Sequence, residues 1–327
     1  MVFEFTAVPG FNFFHAFAAH FKIPTSGDTL TIPAKLGKGT IQKVEFGPDF
    51  RLLIHRYKVK EEWVLRRKAA PVKHDLISIF FYHNETPLNL LYNDERKIQF
   101  TKNSDSAIQV TTSDLNSEVR FPTKMDVYYT VVGITSARLA SMLRVDKPNA
   151  LIKKIISGND SFLFFEKMTT ETQRVLKQLS EINDRDDLKY LYYQIKVEEL
   201  LYLLFSGLLS REPYHHKPIN NSDVEKLMII RNAVLADLSQ PPVLPQLADL
   251  GGMSETKMKQ LFKQTFGDTI YNYYQHARME EAAFLLKHAG LSVSEVGHQL
   301  GFSNLSHFSR LFEQHYKLTP KKYAAAG

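Results

Sequence analysis

One passage occurs twice in the C-terminal third of this chain, and that duplication restricts the fold more than any other feature. Leu247-Ala248, Gly252-Met253-Ser254, Met258 and Leu261-Phe262-Lys263-Gln264 return as Val296-Gly297, Gly301-Phe302-Ser303, Phe308 and Leu311-Phe312-Glu313-Gln314. The offset is 49 residues through the turn and 50 after it, and Thr269 and Tyr273 return as Thr319 and Tyr323. Self-similarity at a fixed period means one supersecondary element used twice, here with one residue inserted in the second copy.

Each copy reads as helix, tight turn, helix. Ala248 and Gly297 are small enough for the second helix to pack closely on the first. Gly252 and Gly301 fall where the turn needs positive φ, which glycine tolerates best. Met253 and Phe302 plug the angle between the helices. Met258, Leu261, Phe262 and Phe308, Leu311, Phe312 recur at i, i+3, i+4 and face a core. Ser254, and either Ser303 or Asn304, are the N-caps of the second helices. Ser292-Val293-Ser294-Glu295 is a capping box opening the first helix of the second copy.

Between the copies, Thr269 to His288 reads as one helix with the stripe Tyr273, Ala277, Met279 or Glu280, Ala283 and Phe284. Twenty residues at 1.5 Å rise make a rod of about 30 Å, close to the roughly 34 Å turn of DNA. A single helix of that length can hold two probes for two successive major grooves. Linking two weak contacts in one chain also raises their effective concentration.

This ordered set of residues, with Gly267, Arg278, Leu285-Leu286, His307-Phe308-Ser309-Arg310 and Leu318-Thr319-Pro320 before Tyr323, resembles the DNA-binding domain of the AraC/XylS family over residues 222–325. Two positions depart from the family pattern. Gly297 stands where alanine is usual, and Lys317 stands where glycine is frequent. The resemblance implies a sequence-specific regulator, an activator, that binds double-stranded promoter DNA, works with RNA polymerase and pairs with a second copy of itself. It implies no cofactor. A small-molecule effector of unknown identity is a further expected partner.

Core positions are unavailable for reading bases, so the exposed faces of the second helices supply the candidates. On the first they are Thr256, Lys257, Lys259, Gln260 and Lys263; on the second, Asn304, Leu305, Ser306, His307, Ser309 and Arg310. Lysine and arginine donate to guanine, glutamine pairs with adenine, and an apolar side chain meets the thymine methyl. Lys263 and His307 are placed for phosphates, which position rather than specify. Charge gives little help: the whole chain is +6, but residues 222–327 hold 11 Lys+Arg against 10 Asp+Glu.

The rest of the chain is read as α+β. Residues 1–160 form a β-rich sensor, a cupin-like antiparallel β-barrel with an internal cavity. Its strands are Ile41–Phe46, Phe50–Lys58, Leu76–Tyr82, Ile108–Thr112 and Met125–Ile134, separated by Gly- and Pro-marked turns. Residues 161–221 form a helical hairpin and linker. Val175, Leu176, Leu179, Ile182 make one stripe and Val197, Leu200, Leu201, Leu204, Leu208 the other, with a polar turn at Asn183–Asp187. One face packs on the barrel or pairs with a second subunit. Residues 222–327 are the all-α domain with two helix-turn-helix units joined by a linking helix, opened by a capping box at Ser222 and Glu225.

Catalytic constellations are missing from the sequence. There are no cysteines. His215 and His216 sit side by side in the linker. His55, His74 and His83 lie on or near strands without the paired histidines and downstream carboxylate of a cupin metal site. No phosphate loop, nucleophile elbow or HExxH motif occurs. The lone tryptophan, Trp63, is an edge-strand packing residue or a cavity wall, and Phe11, Phe13, Phe14, Phe17 and Phe21 are core or an amphipathic arm. The start lacks a basic leader and a cleavage site, and the densest apolar run, Leu200–Leu209, is half the length of a membrane span. A cytoplasmic protein with no membrane partner is therefore expected, and not an enzyme. An enzyme barrel with an accessory DNA domain and a regulator controlled by a protein partner are the alternatives.

Overall fold

The computed structural model describes residues 1–8, 10–25, 27–72, 74–84, 88–91, 97–100, 107–121, 123–124, 126–182, 187–211 and 217–325. His215, His216, most of the polar turn at 183–187 and part of the linker lie outside them. The chain divides into two compact units, Met1–Glu225 and Lys226–Gly327.

The N-terminal unit begins with β1 (Val2–Thr6), α1 (Phe13–Phe21), β2 (Thr29–Thr31), β3 (Gly37–Gly47), β4 (Phe50–Val59), β5 (Trp63–Lys68), β6 (Leu76–Tyr82), β7 (Leu88–Leu91) and β8 (Lys97–Phe100). It continues with β9 (Ile108–Thr112), β10 (Ser117–Phe121), β11 (Asp126–Thr135), α2 (Ser136–Leu143), α3 (Ala150–Ser157), β12 (Leu163–Glu166), α4 (Thr170–Ser180) and α5 (Lys189–Leu209). The strands form two sheets, ordered β1-β5-β10-β7-β8 and β12-β9-β6-β11-β4-β3-β2. The expected β-rich architecture is present, but among the described residues the sheets do not close into one barrel. Nor is every pair antiparallel, because β1 runs parallel to β5, with Val2 opposite Val64.

Period-two alternation explains how the larger sheet is buried on both faces. Phe50, Leu52, Ile54, Ile77, Ile79, Phe81, Val132 and Ile134 join the core cluster that includes Leu139, Ile152 and the buried faces of α4 and α5. The alternate residues, among them Leu53, Ser78, Phe80 and Val131, face a cavity that is also lined by Leu65 and Val119 of the smaller sheet. The order is therefore helices, seven-stranded sheet, cavity, five-stranded sheet.

The expected hairpin of α4 and α5 forms, and its two stripes pack into this core, with Ile182 half-buried at its margin. Other expectations need correction. The segment read as β-rich also holds α1, α2 and α3, and the segment read as helical contains β12, which pairs with β9. These elements are short, so their periodicity is weak. Trp63 is neither at an edge nor on the cavity wall: β5 lies between β1 and β10, and the indole stacks on Phe21 at 5.2 Å. Phe14 and Phe17 are fully buried, whereas Phe11 and Phe13 line the cavity.

Candidate nucleic-acid interface

The C-terminal helices are α6 (Asn221–Ala236), α7 (Leu244–Gly251), α8 (Glu255–Phe266), α9 (Ile270–His288), α10 (Val293–Gln299), α11 (Leu305–Tyr316) and α12 (Pro320–Ala325). α6 starts before the expected capping box. Asn220 caps it, accepting from the Asp223 amide at 2.8 Å, so Ser222 is already inside the first turn.

In the first repeat α7 ends at Gly252, whose φ of 56° lets its amide reach the Ala248 and Asp249 carbonyls. Ser254 then caps α8 by accepting from the Lys257 amide at 3.3 Å. Met258, Leu261 and Phe262 are buried, which turns the opposite side of α8 outward. The second repeat uses the same logic with different residues. Ser292 and Glu295 form the expected reciprocal box at the start of α10, and the hydroxyl and amide of Ser292 pull the Glu295 carboxyl below its usual pKa. Gly301 takes φ 75°, and a Cβ there would collide with the backbone carbonyl of Ser239. Asn304, not Ser303, caps α11, accepting from the His307 amide at 3.1 Å. Phe308 and Phe312 face inward.

The departure at Gly297 has a local cause. A Cβ at that position would press on Leu305 and Phe308, so a larger second-helix residue is matched by a smaller first-helix one. Lys317, after α11, adopts φ 59° where the first repeat has Gly267 at φ 82°.

α9 is a single helix of 19 residues, capped by Thr269, and it touches α8, α10, α11 and α12. Because it packs on several partners, its buried apolar set is wider than one stripe: Ile270, Tyr273, Tyr274, Met279, Ala282, Ala283, Leu285 and Leu286. Phe284, expected in the stripe, is 57% exposed. Two buried arginines tie α9 to its surroundings. Arg231 of α6 donates to the Tyr273 hydroxyl at 2.6 Å. Arg278 donates to the Leu300 carbonyl and lies 3.7 Å from the centre of the Phe302 ring, fixing the second turn on the linking helix. Burial lowers the Arg278 pKa, offset in part by Tyr274. The sequence signal for Arg231 is an arginine inside an apolar helical run, Ile229-Ile230-Arg231.

Residues 247–326 match the family model described as a helix-turn-helix domain. The HTH-type transcriptional activator CfaD of Escherichia coli is 28% identical over 162 residues, which are 48% of this chain and 56% of that protein. The HTH-type transcriptional activator RhaR of Escherichia coli O139:H28 is 26% identical over 154 residues, 47% of this chain and 53% of that one. A solved transcriptional regulator with an AraC-type DNA-binding domain, from Chromobacterium violaceum, is 29% identical over 32% of this chain and 95% of its own, with a TM-score of 0.30. Residues 247–326 of the C-terminal unit are a helix-turn-helix domain. The matches span about half the length of the curated relatives.

Within this domain, Thr256, Lys259, Asn304, Ser306, His307 and Arg310 are exposed, and Lys257, Gln260, Lys263, Leu305 and Ser309 are half-buried. Three details qualify individual residues. Lys259 pairs with Glu255 one turn back at 2.8 Å. The Gln260 side-chain carbonyl is buried without a hydrogen-bond partner. Asn304 already spends its side-chain oxygen on the cap. Among the described residues no group of His, Asp or Glu could hold a metal ion, and no helix is long and apolar enough to cross a membrane.

Proposed function

We propose that this chain is a transcription regulator, an activator, that inserts α8 and α11 into successive major grooves of promoter DNA. The observation that carries the reading is the pair of like helix-turn-helix units on one continuous helix. At 1.5 Å per residue, the 19 residues of α9 make a rod of about 28 Å, against roughly 34 Å for a DNA turn. Lys259, Gln260 and Arg310 are assigned to bases, with Thr256, Leu305, Ser306 and Ser309 beside them. Lys257, Lys263, Asn304 and His307 are assigned to the backbone. The relatives' description as transcriptional activators supports the direction of control, with RNA polymerase as the protein partner.

Residues 1–160 are assigned to effector sensing, 161–221 to dimerisation and linkage, and 222–327 to DNA. The internal cavity supports control by a small molecule, which acts only if it binds two states of the protein with different affinity. Pairing with a second copy is supported by α5. Leu188, just before α5, and Ile195, Tyr202 and Leu209 on it are exposed apolar residues at seven-residue steps, with exposed Leu191 beside them, the repeat of one position of a coiled-coil heptad.

Selection of genomic fragments by the full chain, followed by gel shifts on the fragments recovered, tests the reading. Lys259→Ala, Gln260→Ala and Arg310→Ala each weaken specific binding by about 1–3 kcal/mol. If all three bind the selected sites as tightly as the parent, the assignment of these helices to base recognition is wrong.

A further inference from the structure

Glu255 opens α8, directly after the Ser254 cap. Its carboxylate accepts from the Lys259 ammonium at 2.8 Å, one helical turn on. Both side chains reach solvent, Glu255 40% exposed and Lys259 50%. An acid in the first turn is favoured by the helix dipole, and an exposed pair four residues apart contributes little to stability. The two groups can therefore leave each other for other partners with little loss. The second repeat lacks both. At the 50-residue offset, Leu305 stands for Glu255 and Ser309 for Lys259.

The second helix of a helix-turn-helix unit meets base edges with its N-terminal residues, and a carboxylate there restricts what it can bind. The phosphates on both sides of the groove repel it, so it weakens binding to every sequence that offers it no donor. Cytosine offers one at N4, and in a C·G pair that donor lies beside the guanine O6 and N7 acceptors. A carboxylate and an ammonium held in contact meet this edge in order, oxygen to N4 and nitrogen to O6 or N7. An A·T pair also sets a donor beside an acceptor, adenine N6 beside thymine O4. There, however, adenine N7 faces the carboxylate and the thymine methyl faces the ammonium. The match is to C·G.

We propose that Glu255 and Lys259 act together as the reader of a single C·G pair, and that Glu255 is the specificity-determining residue. Glu255 accepts from cytosine N4 while Lys259 donates to guanine. Because α11 has neither group at the matching positions, the two contact blocks are read differently and the chain binds its site in one direction. The inference rests on the reading that α8 enters a major groove.

The test is a series of gel shifts with the full chain on a selected site, each position changed in turn to all four base pairs. The parent favours C·G at one position by about tenfold or more. Glu255→Gln binds C·G and A·T alike there, because an amide both donates and accepts and does not repel adenine N7. Lys259→Ala loses its preference at that same position, and neither variant changes preference in the other contact block. A purely structural role at the helix terminus would move the thermal midpoint and leave base preference untouched. An unchanged C·G preference in Glu255→Gln, an equal change in affinity for all four pairs, or losses at different positions for the two variants would each overturn the proposal. A parent that selects no sequence loses the regulator reading as well. A parent with a defined site that Glu255→Gln reads identically loses this inference alone.

Discussion

At the scale of single residues, backbone conformation and burial decide the consequences. Gly301 combines a φ of 75° with a backbone carbonyl where its Cβ would be. Gly301→Ala therefore costs about 2–3 kcal/mol or more, seen as a lower urea midpoint for the helical signal. Lys317 has the opposite sign. It holds a left-handed φ of 59° without glycine's freedom, so Lys317→Gly stabilises by about 1 kcal/mol, and an unchanged midpoint contradicts this. Two buried histidines set a pH dependence. Burial pushes His55 and His83 down to about 3, with the Arg56 charge adding to the effect at His83. In the unfolded chain both return to about 6.5. Below that pH the unfolded state takes up protons that the folded state refuses, so stability falls as pH drops from 6.5 towards 3. The loss approaches about 1.4 kcal/mol per pH unit for each histidine, or roughly 2 kcal/mol each between about pH 7 and pH 5. Urea titrations across that range measure it, and His83→Gln should make the slope shallower. A slope unchanged by that substitution contradicts the assignment of His83.

At the scale of elements, what was legible in the sequence was what the chain decides locally. The turn glycines, the Ser254 cap, the Ser292 box and the linking helix all follow from residues within a few positions of one another. The start of α6 shows the limit. Asn220 with Asp223 and Ser222 with Glu225 offer the same spacing of cap and acid two residues apart, and the pattern alone does not choose between them. Strand pairing is less legible because it depends on distant segments. Nothing near Trp63 announces that β1, some sixty positions earlier, will cover β5 in parallel and move it to the interior of its sheet. Ser303 and Asn304 were equally plausible caps; Asn304→Ala should cost about 1 kcal/mol, while Ser303→Ala should cost little. The exposed seam on α5 makes its own prediction. Tyr202 is 69% exposed, so Tyr202→Glu leaves the fold intact and yields monomers in sedimentation velocity. A dimer that persists unchanged removes Tyr202 from the interface.

At the scale of the whole molecule, a near-neutral C-terminal domain puts the weight of DNA recognition on where charges sit. Lys263 and His307, both assigned to phosphates, lie on different second helices, and a phosphate grip spread over two sites should show in the salt dependence of binding. The cavity was expected as a feature of a barrel, whereas Arg51 and Arg67, which line it, look in the sequence like ordinary outward residues of alternating strands. Only the facing of two sheets turns them inward. The central claim is that one chain reads DNA twice, one helical turn apart. It is tested most directly by measuring affinity for a selected site and for the same site with about five base pairs, half a turn, inserted between its two contact blocks. The account predicts two blocks about ten base pairs apart and an insertion that lowers affinity to that of a single block. Equal affinity for both DNAs, or one contact block per chain, would contradict it.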